Sequence, residues 1–313
     1  MEENARITHH SSLITDSCPI CNGKNLEIHK TIISDFVMSR ITDDFKQGNN
    51  YPTNLCYCKD CTFAFYDYRM SDEEINRLYD NYRDENYQKQ REYYECWYTK
   101  KVNDALNFSS ISLQEQKRII EQIISQNIHR EIKTALDYGG NEGRTFTDKI
   151  GTQAKYVFDI SGIPTVEGVK RIANFDELKN YKFDFVMCNH VFEHFTQPLS
   201  MMQTFREIAQ PDTIFYIEVP SENPFTHNIG KHSIIKNISL LFNPNFNIYL
   251  LAKYYFKMKK CPPMPMKEHI NFFTPESIRK MAEISGFNVI NVLENIENSA
   301  LGHLTVLSML FSL

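Results

Sequence analysis

The chain has 313 residues, a formal net charge of −5, 42% hydrophobic and 23% charged residues. Those proportions exclude an intrinsically disordered chain and leave room for about two domains, and no apolar run approaches the ~18 residues of a membrane-spanning helix. The first twenty residues begin acidic at Glu2 and Glu3 and lack an apolar stretch, so no secretory signal is visible and a cytoplasmic location is expected.

Eight cysteines in a chain without a signal point to thiol or metal use rather than a disulfide framework. Cys18-Pro-Ile-Cys21 and Cys58-Lys-Asp-Cys61 form two Cys-x-x-Cys pairs, with no sustained helical or strand period between them. Two intervening residues let a tight turn aim both thiolates at one ion, so Cys18, Cys21, Cys58 and Cys61 are the expected ligands of a closed, structural zinc site. Four free thiols are the plain alternative. A redox pair is disfavoured because no thioredoxin-like strand and helix surround either motif. Cys56 stands near enough to be a fifth candidate or a bystander.

From 66 to 98 lie eight of the seventeen tyrosines, most of them expected in packing. Ser71 with Glu74 forms a capping box that predicts a helix from Asp72, carrying Ile75, Leu78, Tyr79 and Tyr82 on one face. Ser112 with Glu115 reads as a second box, opening a helix with Leu113, Ile119, Ile120, Ile123, Ile124 and Ile128 at helical spacing that ends near Arg130. Strand-like runs and helices then alternate. The strands are expected at 134–138, 155–160, 183–188, 213–219, 287–293 and 304–311, and the helices at 144–150, 165–171, 198–209 and 275–285. The last helix opens with Thr274-Pro275 and stops at Gly286. This alternation predicts an α/β, Rossmann-like, doubly wound and mostly parallel sheet of seven strands. The domains are expected at 1–70 for the cysteine unit, 71–130 for a helical linker or lid, and 131–313 for the sheet, with a basic insertion at about 223–267.

The run Ala135-Leu-Asp-Tyr-Gly-Gly-Asn-Glu-Gly143 puts an acid at the end of the first sheet strand and glycines in the turn after it. Asp159, 22 residues beyond Asp137, ends the second strand where a carboxylate reaches ribose hydroxyls. Gly-x-Gly-x-x-Gly is absent and no Gly-Lys-Ser/Thr follows, which disfavours a dehydrogenase fingerprint and a P-loop.

These residues resemble the class I S-adenosylmethionine-dependent methyltransferases, whose first-strand motif reads roughly acid-x-Gly-x-Gly-x-Gly. Asp137, Gly139 and Gly143 match it, and Asn141 stands at the middle glycine. The likeness continues through Phe183-Asp-Phe-Val186, His190-Val-Phe-Glu-His194, Gln197-Pro198, Glu218-Val-Pro220 and His269-Ile-Asn-Phe-Phe-Thr-Pro275, landmarks of a subgroup that often carries an N-terminal cysteine knuckle and includes bacterial sugar and glycan methyltransferases. The resemblance implies S-adenosylmethionine as cofactor. Gly139, Gly140, Asn141 and Gly143 would lie against its methionine portion, Asp137 near its ammonium, Asp159 on its ribose, and Asn189 and His190 beside the transferred methyl.

His190-x-x-Glu193-His194 also spells an inverted zinc-protease motif. Its place after a parallel strand argues against that reading, and a purely structural pair of histidines is the other alternative. As catalytic groups, His194 would serve as general base with Glu193 orienting it, since a neutral imidazole accepts the proton of an attacking hydroxyl. By the same analogy one of Tyr79, Tyr82 or Tyr87 faces substrate, and His269 lines the pocket or packs the approach to its helix. Residues 223–267 hold seven lysines (Lys231, Lys236, Lys253, Lys257, Lys259, Lys260 and Lys267) and no acid, interleaved with aromatics. This predicts an active-site lid meeting an anionic acceptor such as a nucleotide sugar or phosphorylated glycan. Membrane-surface contact through 231–260 is the rival reading, and a solvated lysine face the plain one. Nucleic acid is disfavoured because the stretch lacks arginine. Relatives with a dedicated C-terminal domain methylate carbon, so its absence here favours oxygen as nucleophile. A catalytically weak zinc-containing scaffold and a dinucleotide oxidoreductase remain as other classes.

Overall fold

The computed structural model describes residues 13–225, 264–299 and 302–313. The chain starts with a short strand β1 (Leu13–Ile14) and enters a small antiparallel unit: β2 (Leu26–Ile32), helix α1 (Asp35–Ile41), β3 (Pro52–Cys58), β4 (Ala64–Tyr66) and β5 (Tyr68–Arg69). The region between the cysteine pairs, expected to lack regular structure, thus holds two seven-residue strands and a helix. Its period was hidden because β2 does not bury alternate residues, whereas Ser34 caps α1 locally by accepting from Val37 N.

Four helices follow: α2 (Asp72–Tyr79), α3 (Glu85–Tyr94), α4 (Lys100–Phe108) and α5 (Ser110–Asn127). The Ser71/Glu74 capping box is formed in both directions. The second expected box is not. The cap of α5 is Ser109, whose Oγ accepts from Ser112 N, so Ser112 lies inside the first turn. The apolar stripe of α5 is as predicted, with Ile119, Ile120, Ile123 and Ile124 buried.

The main sheet comprises β6 (Ile132–Tyr138), β7 (Ile150–Phe158), β8 (Val169–Ile172), β9 (Phe185–Asn189), β10 (Ile214–Pro220), β12 (Asn288–Ser299) and β13 (Gly302–Ser312). Their order is β12-β13-β10-β9-β6-β7-β8, parallel except where β13 runs antiparallel to both neighbours. The predicted seven-stranded, Rossmann-like architecture is therefore present. One face packs under α5 with Phe146, Ile150, Phe185 and Tyr216. The other packs against α7 (Pro198–Ile208) and α8 (Pro275–Ile284) through Met202, Phe205, Phe215, Met281 and Phe287.

Two expected helices are absent. Residues 144–150 form turns that run directly into β7, and residues 165–171 become a turn followed by β8. Gly143 and Gly151 take positive φ at the two ends of the first segment, and Pro164, Gly162 and Gly168 punctuate the second. These short crossovers leave a groove of about 490 Å³ beside α5, bordered by Leu113, Phe146 and Lys155. The only helix in this part is the four-residue α6 (Phe175–Leu178).

The chain returns to the small unit late. Strand β11 (Asn271–Phe272) pairs with β4, giving the order β11-β4-β3-β2. This return locks the cysteine-bearing sheet against the turn after β9, because Asn271 lies one strand from β4 while its amide reaches the carbonyls of Phe192 and Phe195. Among the described residues no helix is long and apolar enough to cross a membrane. Residues 226–263, with Lys231, Lys236, Lys253, Lys257, Lys259 and Lys260, lie outside the described residues. Lys267 is described: it pairs with Glu95 at 2.9 Å and lies over the ring of Trp97.

Candidate active site

Parallel strands expose their last backbone groups and the turns that follow them at one edge, and the structure gathers the predicted residues there. Asp137 lies one residue from the end of β6, Asp159 follows β7, and Asn189 closes β9. Asn141 N donates to Asp159 Oδ2 at 2.9 Å, and Ser161 N donates to Asp159 Oδ1 at 2.7 Å, so the second-strand acid clasps the glycine turn. Arg171 ties the same loops by donating to the carbonyls of Asp159 and Asn141. Asn141 takes the left-handed conformation, φ 53°, that the motif usually assigns to glycine. Gly140 has a different reason to be glycine: a Cβ there would lie 2.2 Å from Asp137 Cγ, far closer than two carbons can approach.

Asp137 is buried, and one of its oxygens accepts from Thr145 Oγ1. Burial pushes its carboxyl up to about 7, against the pull of Thr145 and with a smaller contribution from Asp159. Its other oxygen, Oδ1, is buried without a hydrogen-bond partner, and so are both polar atoms of the Asn189 amide. Such orphans are rare and costly in a closed structure. Here they sit near the ends of the neighbouring strands β6 and β9, beside the glycine turn that Asp159 clasps.

The second half of the site is the turn after β9. His190 adopts φ 54°, and its N–H donates to the Glu218 carbonyl at 2.8 Å. A 3₁₀ turn, Phe192–His194, then carries Glu193 and His194. Because this turn is not an α-helix, His190 and His194 do not share a face and fall into separate groups of neighbouring ligand atoms, which disposes of the protease reading. Arg69, fully buried, donates to the carbonyls of Phe195 at 2.8 Å and Thr196 at 2.8 and 2.6 Å, and to Asn271 Oδ1 at 2.8 Å. Arg69 and Asn271 together fix the backbone just after the turn.

His194 Nδ1 lies 3.0 Å from the Glu268 carbonyl and 2.8 Å from Tyr79 Oη. A carbonyl only accepts, so this contact favours the tautomer with the proton on Nδ1, in which the Nε2 lone pair is free. Burial holds His194 below the ordinary imidazole range, with His269 adding to the effect against the pull of Glu193. Glu193 Oε1 is 3.9 Å from His194 Nε2. Burial alone would raise Glu193, but His190, His194 and His269 outweigh it and hold the carboxyl at about 2. Glu268 is anchored in turn by Arg91 at 2.7 Å and by Tyr87, and Arg91 also pairs with Glu95. Of the three candidate tyrosines, Tyr79 touches His194, Tyr87 is buried on Glu268, and Tyr82 stacks edge-on between them. His269 packs on His194 with ring centroids 4.8 Å apart and pairs with Glu222 at 3.0 Å.

His190 faces a different set of acids. Nδ1 lies 3.6 Å from Glu193, and Nε2 lies 3.5 Å from Glu218 and 3.8 Å from Glu297. Burial disfavours the imidazolium, yet the three carboxylates outweigh it and push His190 well above its ordinary range. Sequence reasoning named neither Glu218 nor Glu297 as a site residue. A charged residue inside the apolar strand Ile214–Pro220 was a readable signal for the first, whereas nothing local marks Glu297.

The four predicted thiols also converge. Cys18 and Cys61 Sγ lie 3.5 Å apart, as do Cys21 and Cys58, and all four lie within 4.8 Å of one another. A tetrahedral ion with bonds of ~2.3 Å needs sulfur separations of ~3.8 Å, so the set fits. The two knuckles match in backbone, with the residue after each pair, Asn22 and Thr62, at positive φ. Cys56 stands apart from the group, and burial pushes its thiol up to about 12.

A family model described as a methyltransferase domain matches residues 67–292. Among solved structures, the chain is similar to a SAM-dependent methyltransferase from Anabaena variabilis, with 12% identity over 67% of this chain and 90% of that one, at a TM-score of 0.43. It is similar to magnesium protoporphyrin IX methyltransferase from Synechocystis, at 12% identity over 63% and 82% with TM-score 0.38. It is also similar to the 1,6-didemethyltoxoflavin-N1-methyltransferase of Burkholderia thailandensis, at 13% identity over 67% and 85% with TM-score 0.41. No protein of curated function matches the chain.

Proposed function

Since the chain belongs to the methyltransferase-domain family and is an S-adenosylmethionine-dependent methyltransferase, we propose that it methylates a hydroxyl of a sugar, nucleotide-sugar or surface-glycan acceptor with His194 as general base. The observation that carries this reading is the tautomer of His194. In that tautomer Nδ1–H donates to the Glu268 carbonyl and Nε2 keeps its lone pair. Glu193 lies beside that nitrogen and stabilises the imidazolium once it forms.

The crevice residues fit the cofactor. The unpartnered Oδ1 of Asp137 suits an ammonium, the remaining lone pairs of Asp159 suit ribose hydroxyls, and the unpartnered amide of Asn189 suits an adjoining polar group. When bound, S-adenosylmethionine supplies an electrophilic methyl and a thioether leaving group. An acceptor hydroxyl attacking that methyl would lose its proton to His194 Nε2. Tyr79, on the opposite side of the imidazole, holds the ring in place.

The four convergent thiols support a structural zinc ion, closed to substrate. The sugar class rests on the ordered motifs shared with sugar and glycan methyltransferases, and the anionic character of the acceptor on the lysines of 231–260. The test is mass-spectrometric screening of sugar nucleotides with the purified protein and S-adenosylmethionine. A methylated product should appear. His194→Ala should slow its formation by ~10²–10⁴-fold while leaving S-adenosylhomocysteine binding intact. Full activity in that variant removes the base from the mechanism, and transfer to carbon in the product removes the hydroxyl acceptor.

A further inference from the structure

We propose that His190 Nε2, Glu218 and Glu297 form a binding site for a divalent cation at the edge of the crevice, with Glu193 orienting the histidine. The three groups come from separate elements: the turn after β9, the end of β10 and the far end of β12. Nothing in local sequence brings them together, yet their ligand atoms lie within 4.8 Å of one another. Nε2 is 3.5 Å from a Glu218 oxygen and 3.8 Å from a Glu297 oxygen. Metal ligands at bond lengths of ~2.0–2.2 Å sit ~3.0–3.4 Å apart, so small rotations of the two carboxylates complete the site.

Glu297 supplies a second and independent observation. Its side chain is 7% exposed, its Oε2 is buried without a hydrogen-bond partner, and that atom is the one facing His190. The partners of Glu218 are neutral donors apart from His190: Tyr216 at 2.5 Å, Ser308 at 3.2 Å and Gln116 at 3.5 Å. Glu193, Glu218 and Glu297 are all nine-tenths buried or more. One imidazole is the only cationic partner that the ion pairs give Glu218 and Glu297 among the described residues. Burying unpaired carboxylates costs several kcal/mol each, which a doubly charged ion offsets.

The arrangement around His190 is that of a metal-bound histidine. One ring nitrogen faces the two prospective ligand oxygens while the other faces the buried carboxylate of Glu193 at 3.6 Å, the relay that fixes tautomer and ring orientation in such sites. Two carboxylates and one imidazole suit a borderline-hard ion of the Mn²⁺ type better than a soft one. His190 is 29% exposed, so the site is open to solvent on the side of the histidine. There the ion would hold acceptor hydroxyls, a role that rests on the hydroxyl-acceptor reading above, whereas cation binding does not.

The experiment is a Mn²⁺ titration of the full chain, zinc-loaded and free of other added metals, followed by the electron paramagnetic resonance signal of free Mn²⁺. One tight site per chain is expected, weakened at least tenfold by Glu297→Gln and by Glu218→Gln, and roughly 10–100-fold by Glu193→Gln. Thermal unfolding checks that each variant is folded, and Glu297→Asp replaces any that is not, since it withdraws the carboxylate by one methylene. The absence of a tight site, or a site unchanged by Glu297→Gln, overturns the proposal. S-adenosylhomocysteine calorimetry on the same samples separates the two readings: binding of that ligand without a Mn²⁺ site refutes the cation site alone.

Discussion

Replacing Arg69 with methionine tests whether the site is held by the clamp beneath it. The guanidinium is fully buried with no carboxylate within ion-pair distance among the described residues, and burial draws it down to about 9. Its value lies in donors. Without it, the Thr196 carbonyl loses both of its bonds to Arg69, and Asn271 Oδ1 loses its partner, while the Phe195 carbonyl keeps the Asn271 amide at 2.7 Å. Two orphaned acceptors cost ~1–3 kcal/mol each. Part of that returns because a buried charge no longer needs desolvation, so the net loss should be about 2–4 kcal/mol. Methionine nearly matches the lost volume, and the loss should appear locally as exchange of the 190–196 amides faster by roughly 30–1000-fold. Hydrogen–deuterium exchange with urea unfolding in parallel reads both quantities. Unchanged protection of 190–196 in a folded Arg69→Met protein would refute the clamp.

Four further outcomes follow. Burial sets Asp137 at about 7, above its value in an unfolded chain, so the folded form holds that proton more tightly. The contribution of Asp137 to stability is therefore present at low pH and is lost as pH rises from about 4 through 7, and Asp137→Asn should abolish that trend in thermal unfolding. On the proposed pairing of Asp137 with the cofactor ammonium the anion is the binding form, so S-adenosylhomocysteine affinity should rise about tenfold between pH 6 and 8 and lose that dependence in Asp137→Asn. Gly140→Ala drives a methyl into the Asp137 carboxyl and should cost ~1–3 kcal/mol with cofactor affinity falling at least tenfold, measured by calorimetry; an unchanged affinity would free the turn of this constraint. Metal analysis should find one zinc per chain, none in Cys58→Ser, and a lowered thermal midpoint in that variant.

Much of the fold was legible because its signals are local. Ser71 with Glu74 and Thr274-Pro275 wrote their helix starts directly into the chain, and apolar runs placed six strands of the main sheet. The spacing of the Cys-x-x-Cys pairs anticipated thiols that meet across 37 and 43 residues. The helices expected at 144–150 and 165–171 failed where Gly143, Gly151 and Pro164 outvoted a weak period. The small sheet was hidden because β11 joins it from more than 200 residues away. At the site, the glycine turn and the His190–His194 motif were readable, but the groups that give them their chemistry were not. Arg69 fixes carbonyls it meets 126 and 127 residues on, Glu268 meets His194 Nδ1 through its backbone, and Glu297 arrives from the last hairpin. Only tertiary structure brings such partners together.

The most direct test of the site is calorimetric titration of S-adenosylhomocysteine into the wild-type protein and an Asp159→Ala variant. Saturable one-to-one binding, weakened by ~10–100-fold when the carboxylate at the end of β7 is removed, is the expected result. Equal affinity in the two proteins, with both folded and zinc-loaded, would place the cofactor away from the crevice formed by β6, β7 and β9 and contradict the account.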